Sequence, residues 1–270
     1  MIAKPVLELE GVSAAVAGRT IVRQISLAVA AGEMVALVGP SGAGKTTIAR
    51  LAAGLIAPAA GAVSWDGERI AQLPPAAFSR LRPHAQLIYQ DPDRSLDPTM
   101  RVADAVCEGL ELQSRPPWRH RAAWRRRHSA PWLERVGLDL GLAARWPGEL
   151  SGGQRQRVAI ARALAVGPRL LVADEAVASL DPPAALQVLS LLASLQRADG
   201  IACLLISHQL AQASLFADRL AVLAPHPDGA TIVECGTPAS LLSAPQHPLT
   251  RALLDALPPW PPPAAAAARL

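Results

Sequence analysis

Apolar positions along this chain follow two periods, and the points where one gives way to the other mark its elements. Residues 5 to 37 read as short β-runs, VLELEGV from Val6, TIVRQISLAV from Thr20 and EMVALV from Glu33, the last entered through the turn at Ala31-Gly32. Lys45 to Leu55 switches to helical spacing, with Ile48, Leu51, Ala52 and Leu55 on one face, and Gly54 and Pro58 stop it. GAVSWDG (Gly61–Gly67) returns to β, and AQLIYQDP is an apolar strand ending at Gln90. From Pro92 to about Leu150 the runs are helical, broken by Pro116, Pro117, Pro131 and Pro147, which predicts an inserted helical lobe. Arg155 to Val166 again has helical spacing, with Val158, Ile160, Ala161 and Leu164 toward a core.

RLLVAD (Arg169–Asp174) has the unbroken apolarity of a buried parallel strand and ends in two carboxylates, Asp174 and Glu175. Asp181 is placed to cap a further helix, with Pro182 in its first turn. Ile201 to Ile206 is another apolar strand and delivers Ser207-His208 at its end. RLAVLA and ATIVEC are the last β-runs, followed by short helices and the Pro/Ala-rich tail 258–270, whose composition reads as disordered. Strands alternating with helices predict a mostly parallel sheet, with ligand at the C-terminal ends of its strands.

Composition narrows this picture only in part. With 270 residues, 51% of them hydrophobic, the chain can bury one large core or two modest ones. The start, MIAKPVLELEG, lacks the apolar region of a leader, and no uncharged apolar run reaches the roughly 18 residues of a membrane span. The expectation is a soluble or peripheral cytoplasmic protein. Cys107, Cys203 and Cys235 lie far apart, without the spacing of a disulfide framework or a zinc or iron–sulfur site, and are expected to be buried small apolar residues. A net charge of +4 and a pI near 9.5 suit nucleic acid, an anionic membrane or a merely solvated surface, and do not choose among them.

The sharpest chemistry lies between the strand VALV and the helix that follows it. Gly39-Pro40-Ser41-Gly42-Ala43-Gly44-Lys45-Thr46 fits G-x-x-x-x-G-K-[ST], with Thr47 next in line. Glycines let successive N–H groups converge on phosphate oxygens, the helix adds its positive end, Lys45 reaches the β- and γ-phosphates, and the Thr46 hydroxyl can ligate Mg²⁺. From this chain's own residue frequencies, chance gives such a string about once in a thousand. Lysine occurs only at positions 4 and 45 of a chain otherwise rich in arginine, so a compact ammonium matters at this point.

With Leu150-Ser151-Gly152-Gly153-Gln154 added, the ordered set of Gly39–Thr46, Gln90, this LSGGQ, Asp174-Glu175, Ser179-Leu180-Asp181 and His208 resembles the ATP-binding subunits of ABC transporters over about residues 5–250. The resemblance implies an α/β fold: a P-loop NTPase core with a mostly parallel sheet, an antiparallel β-flap and an inserted helical subdomain. The core would be residues 5–91 and 151–235, the helical subdomain about 92–150, and short C-terminal helices 237–257. It implies ATP and Mg²⁺ as cofactors, Mg²⁺ being held by Thr46, Gln90 and Asp174. Glu175 would polarise the attacking water, Gln90 would touch metal and water, and His208 would donate to the γ-phosphate. Ser151, Gly152, Gly153 and Gln154 would close on ATP bound by a second ABC ATPase, a copy or a paralogue, in a head-to-tail dimer with Asp181 at its interface. Further partners implied are two transmembrane permease subunits and a solute-binding protein, which puts the chain on the cytoplasmic face of the membrane as a peripheral subunit.

The run Tyr89-Gln90-Asp91-Pro92 with Ser95-Leu96-Asp97-Pro98, and His247-Pro248-Leu249-Thr250-Arg251-Ala252-Leu253-Leu254 near the end, resemble the peptide and nickel importers. Ala176-Val177 after Glu175 looks most like the nickel-import member, so nickel is the expected solute, with di- or oligopeptides as the alternative. An exporter ATPase is the strongest rival. Repair or chromosome ATPases would carry long coiled-coil insertions, and translation-type members two cassettes. Neither pattern is present, and no nucleic acid is expected as a partner. One departure concerns the base: the family carries an aromatic residue in the flap to stack on adenine, and Ser13 to Arg19 has none, with Val16 the nearest match. RPPWRHRAAWRRR (Arg115–Arg127) stands apart as six arginines interleaved with Trp118 and Trp124, either a solvated helical face or a contact for anionic lipid.

Overall fold

The computed structural model describes residues 4–92, 95–114, 116 and 118–256. The tail call, 258–270, and residues 115 and 117 of the arginine run lie outside the described residues. In chain order the backbone forms β1 (Pro5–Val16), β2 (Arg19–Ala30), β3 (Met34–Val38), α1 (Lys45–Ala52), β4 (Ala60–Trp65) and β5 (Glu68–Arg69). It continues with α2 (Pro75–Leu81), β6 (Ala85–Ile88), α3 (Val102–Ser114), α4 (Arg121–Arg135), α5 (Gly152–Ala165), β7 (Leu170–Asp174) and α6 (Pro182–Asp199). The last elements are β8 (Ala202–Ser207), α7 (Leu210–Phe216), β9 (Arg219–Ala224), β10 (Thr231–Gly236), α8 (Pro238–Ser243) and α9 (Pro248–Asp255).

Two compact units divide the chain, one made of the described residues up to Leu73 and from Ala193 onward, the other Pro74–Leu192. In the first, β2, β1, β4 and β5 pair antiparallel in that order, the flap expected from the early β-runs. β1 buries Val6, Leu7, Leu9, Val12 and Ala14, and register shifts along its pairing with β2 explain why the burial does not alternate cleanly. The same unit holds β3 between β8 and β9, parallel to both, with β10 antiparallel on β9. All five residues of β3 are buried, as are Ala202 to Ile206 of β8, which is why both read as continuous apolar runs.

In the second unit β6 and β7 pair parallel in the register Ala85↔Leu170 through Ile88↔Ala173. α3 packs on α4 and α5. Cys107 is buried on α3 and burial pushes its thiol up to about 12, as it does for Cys203 in β8, so neither is a thiolate near neutrality. The expectation of three buried cysteines fails at Cys235, which is exposed on β10 with an Arg219 nitrogen 3.5 Å from its sulfur. The expected break at Pro131 is also absent: α4 runs through it, since proline removes one donor from the i−4 ladder without forbidding the turn around it. Among the described residues no helix is long and apolar enough to cross a membrane.

Candidate functional site

β3 ends at Val38 and hands the chain to the phosphate loop. The parallel register aligns Val38 with Ser207 of β8, so Gly39 and His208 each stand one residue beyond neighbouring strands, at the same C-terminal level. Gly39 is required sterically: a Cβ there would lie 2.5 Å from the Leu223 carbonyl oxygen of β9. Gly44 holds φ at 92° as the residue before α1, and a Cβ on it would meet Val22 Cγ1 at 2.8 Å. β2 and β9 thus close against the two ends of the loop. Sequence reading misses this role of Val22 and Leu223, because nothing local records a contact made across so many residues.

Lys45 is buried, and its ammonium donates to the Gly39 and Pro40 carbonyls at 3.0 Å each, folding back over the loop. Thr46 is exposed and Thr47 half-buried in the first turn of α1. His208 is exposed at the end of β8, and the Ser207 hydroxyl beside it accepts from the Gln209 N–H at 2.9 Å, turning the chain sharply into α7. These residues belong to one unit and form a cationic, N–H-rich strand edge suited to a phosphate chain.

The second unit presents its own strand ends. Continuing the β6–β7 register past Ile88↔Ala173 sets Tyr89 level with Asp174 and Gln90 level with Glu175. Asp174 is buried at 6% exposure, while Gln90 is exposed. Glu175 is half-buried with φ at 46°, a left-handed conformation costly for a side chain with a Cβ. Its carbonyl accepts from Ala178 N–H at 2.9 Å in the turn that follows. Such a conformation persists only where the surrounding structure imposes it.

Ser151 caps α5, its hydroxyl accepting from Gln154 N–H at 3.2 Å while Gln154 Oε1 accepts from Ser151 N–H at 2.9 Å. Asp181 caps α6 in the same manner, accepting from Ala184 N–H at 2.9 Å. Neither glycine of this signature is needed for packing: a Cβ on Gly152 would sit 3.4 Å from Leu180 Cδ2, and one on Gly153 3.9 Å from Ala184 Cβ. Glycine at both positions leaves the positive end of a 14-residue helix uncovered.

The ABC transporter family profile matches residues 22–178, more than half of the chain. The chain belongs to the ABC transporter family. It is 42% identical over 240 residues to a glutathione import ATP-binding protein of Pectobacterium atrosepticum, a match covering 88% of this chain and 37% of that protein. Against a putative peptide import ATP-binding protein of Brucella abortus it is 42% identical over 245 residues, covering 89% and 71%. Among solved structures it resembles a component of an ABC transporter complex from Clostridium perfringens, with a TM-score of 0.76, 25% identity and coverage of 89% and 92%. A dimeric bacterial ABC transporter cassette matches with a TM-score of 0.71, 28% identity and coverage of 86% and 98%. The fold is therefore that of the ABC ATPases, as the ordered motifs imply, and the chain is an ABC-type ATP-binding protein.

Proposed function

We propose that this chain is an ATP-hydrolysing subunit that powers an importer at the cytoplasmic face of the membrane, and that its solute is a short peptide or a peptide-like thiol such as glutathione. The observation that carries the reading is the aligned end of β3 and β8, where the Gly39–Thr47 loop and His208 share one level. Lys45 and the N–H groups of the loop hold the triphosphate. Glu175 orients the attacking water, and His208 donates to the γ-phosphate. Thr46, Gln90 and Asp174 supply hydroxyl, amide and carboxylate oxygens, the hard donors Mg²⁺ prefers, and a bound Mg²⁺ would neutralise charge on the β- and γ-oxygens. The partners would be two permease subunits, a solute-binding protein and a second ATPase, whose bound ATP the Ser151–Gln154 helix end would engage.

The relatives named for peptide and glutathione import favour that solute over nickel. Nickel remains the second reading on Ala176-Val177 and on the short runs shared with nickel importers. Deleting the gene and following uptake of a labelled dipeptide, glutathione and nickel ions tests both. Loss of dipeptide or glutathione uptake alone supports the proposal, loss of nickel uptake alone replaces it with the second reading, and accumulation of a solute inside the cell overturns import altogether.

A further inference from the structure

β3 lies between β8 and β9, and the register sets Val38 level with Ser207 on one side and with Val222 on the other. His208 therefore stands beside Gly39 on the β8 side, and Leu223, whose carbonyl closes on Gly39, on the β9 side. From β9 the chain runs through Pro225-His226-Pro227-Asp228-Gly229 before it returns as β10. This turn stands beyond the strand ends, at the edge that carries the phosphate loop.

The turn is braced both internally and against β2. Gly229 N–H donates to the His226 carbonyl at 3.0 Å, and Asp228 N–H donates to His226 Nδ1 at 3.2 Å, so the turn orients the ring as well as the backbone. Pro225 and Pro227 restrict the backbone on either side of His226. Against β2, Ala230 N–H donates to the Ile21 carbonyl and Arg23 N–H to the Ala230 carbonyl, each at 2.9 Å. Gly229, with φ at 107°, packs so closely that a Cβ on it would lie 2.7 Å from Thr20 Cγ2. The Asp228 carboxylate lies 3.8 Å from the Arg23 guanidinium, which offsets its charge on the β2 side. On this stiffened turn the His226 side chain remains 50% exposed.

A triphosphate on the Gly39–Thr47 loop with its γ end at His208 runs from the β8 side toward the β9 side, and so carries its nucleoside toward residues 225–229. This step rests on the reading that places His208 at the γ-phosphate. Residues 16–23, 39–47 and 224–229, which surround that end, hold a single aromatic ring, His226. We propose that the His226 imidazole stacks on the purine base of the bound nucleotide, supplying from the β9–β10 turn the ring that the β1–β2 turn lacks. Every base has a π-face, so such a contact favours a nucleoside triphosphate over bare triphosphate without choosing between adenine and guanine. A ring already held by its turn loses little freedom on binding.

Binding titrations of the full chain with ATP, GTP and inorganic tripolyphosphate, each with Mg²⁺, test it. H226A should weaken ATP and GTP alike by roughly fivefold to tenfold, and leave tripolyphosphate within about twofold of the parent. H226F keeps a ring and should bind ATP at least as tightly as the parent. Both variants should melt with the parent, because the backbone hydrogen bonds of the turn remain. The His226 Hε1 proton resonance, identified by its loss in H226A, should shift with ATP and stay in place with tripolyphosphate. Parent-like ATP binding by H226A, or an H226F protein as weak as H226A, would overturn the proposal and leave the phosphate-loop reading intact. An equal loss of ATP and tripolyphosphate would overturn it as well, making the turn a brace for the phosphate loop. A parent that binds neither compound would remove both readings together.

Discussion

At the residue scale, the roles proposed for Lys45 and Glu175 rest on different physical arguments. The Lys45 ammonium is 4% exposed and hydrogen-bonded to two carbonyls, and such a buried cation draws negative charge strongly. Lys45→Ala should weaken ATP binding by about tenfold to a hundredfold, the range that loss of a charge-assisted hydrogen bond represents, as read by equilibrium titration. Glu175→Gln keeps the size and the left-handed backbone but loses the base, so ATP should still bind while hydrolysis falls about a hundredfold to ten-thousandfold. Turnover by purified Glu175→Gln protein within a few-fold of normal would remove the assignment. Both side chains are legible in the sequence because their motifs are local. The φ of Glu175 is not legible, since only the turn after β7 imposes it. Val16, the nearest match to the family's stacking aromatic, is 57% exposed and offers no ring, and stacking is worth about 1 kcal/mol. GTP should therefore compete with ATP within roughly tenfold in a displacement assay. A hundredfold preference for ATP would mean that another residue makes the contact.

At the scale of elements, the C-terminal helices show what a short motif is for. Glu234 on β10 accepts from Gln246 N–H at 2.9 Å, His247 N–H at 3.1 Å and the buried Thr250 hydroxyl at 2.5 Å, and so pins the start of α9. His247 Nδ1 accepts from Leu249 N–H at 3.1 Å and caps the same helix. The motif used above as a subfamily mark is thus a docking device. Burial alone would raise the Glu234 carboxyl, but these hydrogen bonds outweigh it and hold it below its usual range. A carboxyl lowered in the folded chain contributes stability fully above its unfolded pKa of about 4.3, and that contribution fades as pH falls through the folded value. Thr250→Val should cost about 1 kcal/mol at neutral pH, a drop of roughly 2–4 °C in melting temperature. The gap from the parent should narrow below about pH 4, as calorimetry across that range can read. A gap that stays constant to pH 3 would show that the carboxylate is not the acceptor that matters. The sequence reading expected short helices here but not the anchor of α9, because Glu234 lies in a strand of ordinary pattern. Periodicity also over-read Pro131, where packing of Ser129 and Leu133 carries the helix across a missing donor.

For the molecule as a whole, the order of motifs conveyed the family, since six motifs in one order constrain the chain far more than any of them alone. What that order could not convey is which glycines serve the chain's own packing and which serve something outside it. Gly39 cannot accept a Cβ, whereas Gly153 has room for one at 3.9 Å from Ala184 Cβ. This difference allows fold and function to be moved in opposite directions. An aspartate at Gly153 would lie in the first turn of α5, where a negative charge is stabilising by about 0.3–1 kcal/mol and where a residue other than glycine loses less backbone entropy. The same charge would repel the phosphate that this helix end is proposed to engage on the partner's ATP. Gly153→Asp should accordingly melt at the parent temperature or a few degrees above it, while ATP turnover falls at least tenfold. ATP binding at the chain's own phosphate loop, more than a hundred residues away in sequence, should be unchanged. A melting temperature several degrees lower would make Gly153 a structural residue. Full turnover with the fold intact would mean that the positive end of α5 meets no phosphate during the cycle.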